Sequence, residues 1–423
     1  MGLAYFYCKG ALLQLYQVNT DRGRHDQSAY MNLARSIAAG SQGSVLSRNR
    51  MPLYPALQSL LLQKGLDDAA FFHVGKFANL WLSILALVCA YGLLRVHFAF
   101  ELALPATAAA GFSVFIFKAA YFQCEVLFYP LFFAYYVALL CQLARPSVAG
   151  AVLCGISGGL GFLTKASVLP ALGVQFLATL LLVARDFFRE GRRAWRQIVT
   201  RLLPFAVFIV VTGPYLWTSA RVFGDPFYNV NSRYVFWCDN WEQAMSEVFA
   251  RAADVRKPGA ADEMPGPGRY FREHPLSAAG QRMAEGALRL QEQLVKTSGF
   301  LPVAVFYGAL AALALALVPG PLLHGARAHL PALLAATAIL TLYALACCWY
   351  QAIDSGLRFP LMLALPFLHA CLFPIAVACG AVGKRARHFR ILVAAAHALA
   401  LLAGSYLVQG PLMNILARAN AGG

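Results

Sequence analysis

Phe77-Ala-Asn-Leu-Trp-Leu-Ser-Ile-Leu-Ala-Leu-Val-Cys-Ala-Tyr-Gly-Leu-Leu94 runs from 77 to 94 without one charged side chain. A helix of about 20 mostly apolar residues matches the hydrocarbon thickness of a bilayer. Inside lipid the helix is also the form that satisfies every backbone N–H and C=O within one segment. Extended over 69–94, this run predicts a membrane span. Nine more follow, at 102–117, 126–143, 148–163, 166–184, 202–219, 300–318, 331–349, 359–379 and 391–409. A weaker stretch, 3–18, is interrupted by Lys9 and lacks the charged start, long apolar run and cleavage site of a signal peptide. It reads as a short first span, so the expected fold is an all-α polytopic membrane protein with about 11 transmembrane helices.

Composition agrees. Hydrophobic residues make up 60% of the 423 and charged residues 13%, where soluble chains carry about 25% charged. A soluble enzyme, a disordered scaffold and a disulfide-stapled secreted domain are excluded. The net charge of +16 fits basic residues held in cytoplasmic loops. It does not require nucleic acid, since no basic run is interleaved with exposed aromatics. Most of the ten cysteines lie in apolar stretches; there is no CxxC and no Cys/His cluster with zinc spacing. Cys124 and Cys238 fall in expected external segments, where a disulfide between them is conceivable.

Two basic segments set the expected orientation. Arg185, Arg189, Arg192, Arg193, Arg196 and Arg201 stand in 185–201; Lys384, Arg385, Arg387 and Arg390 stand in 380–390. An even number of spans separates them, so both lie on one side, which the positive-inside rule makes cytoplasmic. The amino terminus is then inside. The chain divides into a membrane module, 1–219, with a first external loop at 19–68; an external region, 220–299; and carboxyl-terminal membrane helices, 300–423. The external region holds ten Lys/Arg against ten Asp/Glu with a Pro/Gly-rich middle, and is expected to form a small layer of short helices. A transporter would more often show two related halves, and the 19–68 pattern does not recur.

Within the first external loop, Tyr30, Leu33, Ala34 and Ile37 recur at helical spacing up to Gly40, describing an amphipathic helix lying in the membrane interface. Asp26 precedes its first turn. Capping is the commoner reason for an Asp there; the alternative is a general base at the mouth of the bundle. In Arg50-Met-Pro-Leu-Tyr-Pro55 two prolines are expected to fix an extended turn, with a second interfacial helix resuming from Ala56 to Gln63. Arg50 would either pair with a phosphate or snorkel as an anchor. Glu125, Lys165 and Arg358 interrupt apolar sequence at expected outer helix ends. Each alone has a structural explanation, but together on one face they suggest a charged cavity open to the outside. Gly155, Gly158, Gly159 and Gly161 lie inside a span and read as a close helix contact, not a phosphate loop. Among nine histidines only His25, beside Asp26, is notable, and it reads as a solvated loop residue.

These stretches together resemble the bacterial membrane glycosyltransferases of the GT-C superfamily, nearest the protein O-mannosyltransferase and aminoarabinose transferase group. The resemblance rests on Asp26-x-x-x-Tyr30, Arg50-x-Pro-Leu-Tyr54-Pro, Glu125-Val-Leu-Phe, Gly161-Phe-Leu-Thr-Lys165 and Arg358-Phe-Pro-Leu-Met, with Gly224-Asp-Pro-Phe-Tyr228 after the seventh span. It covers roughly residues 20–366. It implies a sugar donor on a polyprenyl phosphate; a lipid, glycan or protein acceptor; and a reacting face on the outer side of a bacterial inner membrane. By the same resemblance Asp26 is the catalytic carboxylate and Arg50 contacts the lipid phosphate, while Tyr30, Tyr54, Glu125, Lys165 and Arg358 bind substrate. Many relatives carry Asp-Glu where this chain has Asp26-Gln27, which argues against a divalent metal; no other cofactor is implied. The competing readings are a secondary transporter or lipid flippase, and an O-antigen ligase- or polymerase-like enzyme with Arg272 and His274 as its key residues.

Overall fold

The computed structural model describes residues 2–23, 26–41, 48–62, 65–251, 264–295, 299–320, 329–354 and 356–381. Among these the chain is helical throughout, with no strand. Eight helices are long and apolar enough to cross a membrane: Asp68–His97, Phe100–Lys118, Glu125–Ala144, Ala166–Glu190, Trp195–Phe223, Phe300–Leu317, Leu330–Tyr350 and Pro360–Gly380. Val148–Thr164 is a shorter apolar helix of 17 residues. This is the architecture of a polytopic membrane protein. Each of the nine lies where an apolar run predicts a span. Gly2–Leu13, continued by a π-helical turn over Gln14–Val18, occupies the weak first run. The expected span 391–409 and the basic residues of 384–390 lie outside the described residues, as does His25.

Polar residues inside the bundle have identifiable structural work. Lys76, wholly buried, donates to the carbonyls of Leu15 (2.9 Å) and Asn19 (2.8 Å), which the end of the first helix leaves open. The glycine face of Val148–Thr164 lets two neighbours approach. A Cβ on Gly155 would lie 2.6 Å from the Pro204 carbonyl oxygen, one on Gly159 2.7 Å from Val211, and one on Gly158 3.0 Å from Tyr135. Helix Trp195–Phe223 therefore packs on one side of it and Glu125–Ala144 on the other. Gly161 makes only an ordinary contact, 3.5 Å from Val168, and takes no part in that close approach.

The arginine-rich segment is shorter as a loop than expected. Helices Ala166–Glu190 and Trp195–Phe223 run almost into each other through a 3₁₀ turn, Gly191–Ala194. Asp186 accepts from Arg201 and Arg185 there, at 2.9 and 2.6 Å.

Two local expectations are corrected. The second interfacial helix begins at Leu53 and ends at Ser59, with Pro52 as its N-cap. Pro55 is tolerated because the first turn of a helix has no partner for that N–H. The region 220–299 is not made only of short pieces: beside Val230–Arg233, Trp241–Gln243 and Pro267–Glu273 it contains an 18-residue helix, Leu276–Gln293. That helix lies against Leu330–Tyr350, and Gly286 is so close to the Cys348 carbonyl that any side chain would force them apart. Beyond the corrected expectations, Cys124 and Cys238, for which a disulfide was conceivable but not expected, are both free and buried. A helix, Gln27–Ala38, forms where the spacing predicts one; it buries Tyr30, Leu33 and Ala34 and ends before Gly40, whose φ is +70°.

Candidate functional site

Asp26 stands at the start of Gln27–Ala38 with φ 66° and ψ 5°, and its side chain makes no capping bond. The left-handed conformation is one that Asp and Asn enter more readily than most residues. The capping explanation is thereby removed, and the carboxylate is engaged elsewhere. Oδ1 accepts from Arg50 Nη2 at 2.9 Å and Oδ2 from Arg358 Nη1 at 2.7 Å. Burial acts to raise the Asp26 pKa, but the two guanidiniums outweigh it and hold the carboxyl below the ordinary aspartate value.

Each arginine is itself positioned. Arg50 follows Asn49, whose Oδ1 accepts from Arg50 Nη1 at 2.6 Å, and its guanidinium lies 5.6 Å from the Tyr30 ring centre. The backbone carbonyl of Arg358 accepts from Tyr129 Oη at 2.7 Å, and its Nη2 reaches Asp354 Oδ2 at 3.3 Å. Burial works to lower the Arg358 pKa; Glu125, Asp26 and Asp354 more than offset it, so the guanidinium stays charged. Glu125, at the first turn of its helix where a negative charge is favoured, pairs with Lys165 Nζ at 3.1 Å. Lys165 occupies the break between Val148–Thr164 and Ala166–Val168, in extended backbone.

Asp26, Arg50, Glu125, Lys165, Asp354 and Arg358 all line one cavity of about 650 Å³, together with Tyr30. The volume is within the usual range for small-molecule sites, about 300–1,000 Å³. Its charges balance, three acids against three bases. Asn49, Asn229, Asn231, Phe236, Trp237 and Trp241 also line it, contributed largely by 229–249. Part of the lining is apolar: Leu169, Pro170, Leu342 and Ala346, from helices Ala166–Glu190 and Leu330–Tyr350. Pro170 and Leu342 are exposed.

Of the seven residues singled out from sequence, six line the cavity and Tyr54 does not. Tyr54 is fully buried behind Tyr30, their rings meeting edge to face at 5.3 Å. Its hydroxyl accepts from Asn79 at 2.9 Å and Gln58 at 3.1 Å. The substrate-binding expectation for Tyr54 is therefore corrected to a supporting role. Gln27, at the position where a second carboxylate was in question, is wholly buried. Its amide pairs reciprocally with Asn19, donating at 3.0 Å and accepting at 2.7 Å, and its Oε1 also accepts from Phe122 N–H. A carboxylate could not donate there, so this position is structural. His274 stacks on Tyr270 and lies 3.5 Å from Asp239, and Arg272 is exposed. Neither lines the cavity, so nothing favours the ligase-like alternative.

Sequence reasoning overlooked Asp354, although an acid four residues before Arg358 is a spacing that pairs opposite charges in helical chain. It also overlooked the amide and aromatic wall, whose residues carry no distinguishing pattern. Among the described residues no group of three His, Cys, Asp or Glu side chains could hold a metal ion. The chain matches no family model, no curated protein and no solved structure.

Proposed function

We propose that the protein is an integral-membrane glycosyltransferase that moves a sugar from a polyprenyl-phosphate donor to a hydroxyl of a lipid, glycan or protein acceptor. The observation that carries this reading is Asp26: a carboxylate free of any capping bond, held between two guanidiniums in a cavity whose lining is apolar at Leu169, Pro170, Leu342 and Ala346. That apolar part of the lining suits a lipid tail. The guanidiniums and Lys165 suit a phosphate, which Arg grips by two parallel N–H donors.

The chemistry asks for this division. The acceptor oxygen attacks the anomeric carbon while its proton passes to Asp26. The bond from that carbon to the phosphate oxygen breaks, and its electron pair leaves with the polyprenyl phosphate. That leaving group is a stable anion and needs no proton; it needs positive charge where its own negative charge grows, in a site that excludes bulk water. Direct displacement inverts the anomeric configuration. Neither step calls for a divalent metal.

The same reading places the cavity on the outer face of a bacterial inner membrane, with the Arg185–Arg201 end in the cytoplasm. In a cysteine-free background, Glu242→Cys and Glu285→Cys are expected to react with a membrane-impermeant maleimide in intact cells. Glu190→Cys and Arg196→Cys should react only after permeabilisation. The reverse pattern would put the reacting face in the cytoplasm. Deletion of the gene should remove one sugar from one cell-envelope glycan, lipid or protein. Wild-type protein should restore it and Asp26→Asn should not; an unchanged envelope profile would count against the proposal.

A further inference from the structure

The donor assignment above leaves a conflict in the cavity, and the following rests on that assignment. Each guanidinium that would grip the phosphate gives one terminal nitrogen to an oxygen of Asp26 and the other to a neighbour, Asn49 for Arg50 and Asp354 for Arg358, while the buried Nε of Arg50 has no partner among the described residues. A base needs a lone pair aimed at the acceptor hydroxyl, and a phosphate needs those N–H groups. Arg50 and Arg358 cannot serve both in full.

The charges decide how the conflict resolves. The cavity lining carries three acids and three bases, with Lys118 close enough to act on Glu125 and Arg358; a donor phosphate brings negative charge in among the three carboxylates, and one of them must yield its cations to it. Glu125 is the poorest candidate to move: its side chain is 3% exposed and fixed to Lys165 at the start of a membrane-spanning helix. Asp354 is tied into its own turn, its Oδ1 accepting from Gly356 N–H at 2.8 Å, while its other oxygen reaches Arg358. The Asp26 side chain has only the two arginines as partners among the described residues. We propose that Asp26 and the donor phosphate compete for one seat on Arg50 and Arg358, so that seating the donor and releasing the base are one event.

Two consequences follow for the cycle. The acceptor cannot be deprotonated before the donor is bound, so the base does not act on an acceptor alone, whichever substrate arrives first. After transfer, Asp26 carries the acceptor's proton and does not compete for the arginines. When it loses that proton to solvent it regains them, and the polyprenyl phosphate is displaced.

The test is equilibrium binding of undecaprenyl phosphate, which has no sugar to transfer, to the full chain in nanodiscs. Asp26→Asn should bind it about tenfold tighter than wild type or better, because hydrogen bonds to charged groups that the carboxylate had taken become available. Asp239→Asn is the control for loss of an acid as such, since Asp239 lies outside the cavity lining and pairs with His274 and Arg282, not with Arg50 or Arg358; its affinity should stay within about threefold of wild type. Asn tolerates the left-handed backbone at position 26, and thermal unfolding of each variant checks that the fold is kept. Inorganic phosphate at the same concentrations should not displace the lipid. An affinity unchanged or weaker in Asp26→Asn, or equal tightening in both variants, would overturn the competition while leaving the donor reading in place. Displacement by inorganic phosphate would make this a free-phosphate seat and also overturn it. Failure of wild type and both variants to bind undecaprenyl phosphate at all would remove the donor reading itself.

Discussion

Asp26→Asn is expected to lower turnover by about 10²–10⁴-fold, the usual contribution of a positioned general base, with the fold intact. Asn keeps the size and tolerates the φ of 66° that Asp26 adopts. No cap is lost, because the Asp26 side chain makes none. What disappears is the proton acceptor and the negative charge between Arg50 and Arg358. Initial rates of transfer from a purified lipid-linked sugar, measured beside the thermal unfolding midpoint, separate the two possibilities. Full activity at an unaltered midpoint would mean that Asp26 only neutralises its arginines.

Arg50→Ala should act on binding. Its guanidinium is mostly buried, with 17% of the side chain exposed, and truncating one member of a desolvated charge pair typically costs about 2–5 kcal/mol in binding. Donor affinity should therefore fall by roughly 30-fold or more. Arg50→Lys should recover only part of this, since an ammonium lacks the planar fork that meets two phosphate oxygens. The loss should appear in the dissociation constant of undecaprenyl phosphate, and Arg50→Ala binding it as tightly as wild type would return Arg50 to the role of an interfacial anchor.

The membrane architecture was largely legible because it is written in uninterrupted runs. Each apolar stretch from 69–94 to 359–379 became one helix, with ends shifted by a few residues where capping groups decide the boundary. Asp67, which accepts from Ala70 N–H at 2.7 Å, starts the Asp68–His97 helix in this way. Prolines were harder to read, since Pro55 breaks a helix in its interior but not in its first turn. The 18-residue Leu276–Gln293 helix carries no run to announce it; the residues it buries are Arg282 and Gly286, and that glycine seats it on a neighbour.

The site was legible as a set of residues on one face, but not as pairs. Asp26 and Arg358 are 332 positions apart, and no local pattern tells one that it will meet the other. The backbone turn that withdraws Asp26 from capping also leaves no trace in the spacing of its neighbours. Tyr54 belongs to a motif beside Arg50, yet one turn of helix carries it behind Tyr30 and out of the cavity. Asp354 stands four residues before Arg358, a local pairing that says nothing of a cavity. Only the fold places that pair against Asp26.

The most direct measurement is transfer itself. Purified protein in nanodiscs would be incubated with a panel of undecaprenyl-phosphoryl sugars and an extract of envelope acceptors, with free undecaprenyl phosphate followed by mass spectrometry. The account predicts that at least one donor is consumed by wild type, that undecaprenyl phosphate appears in step with glycosylated product, and that Asp26→Asn does neither at a comparable rate. Binding of undecaprenyl phosphate by the folded protein with every donor left intact, or release that proceeds equally in Asp26→Asn, would contradict it.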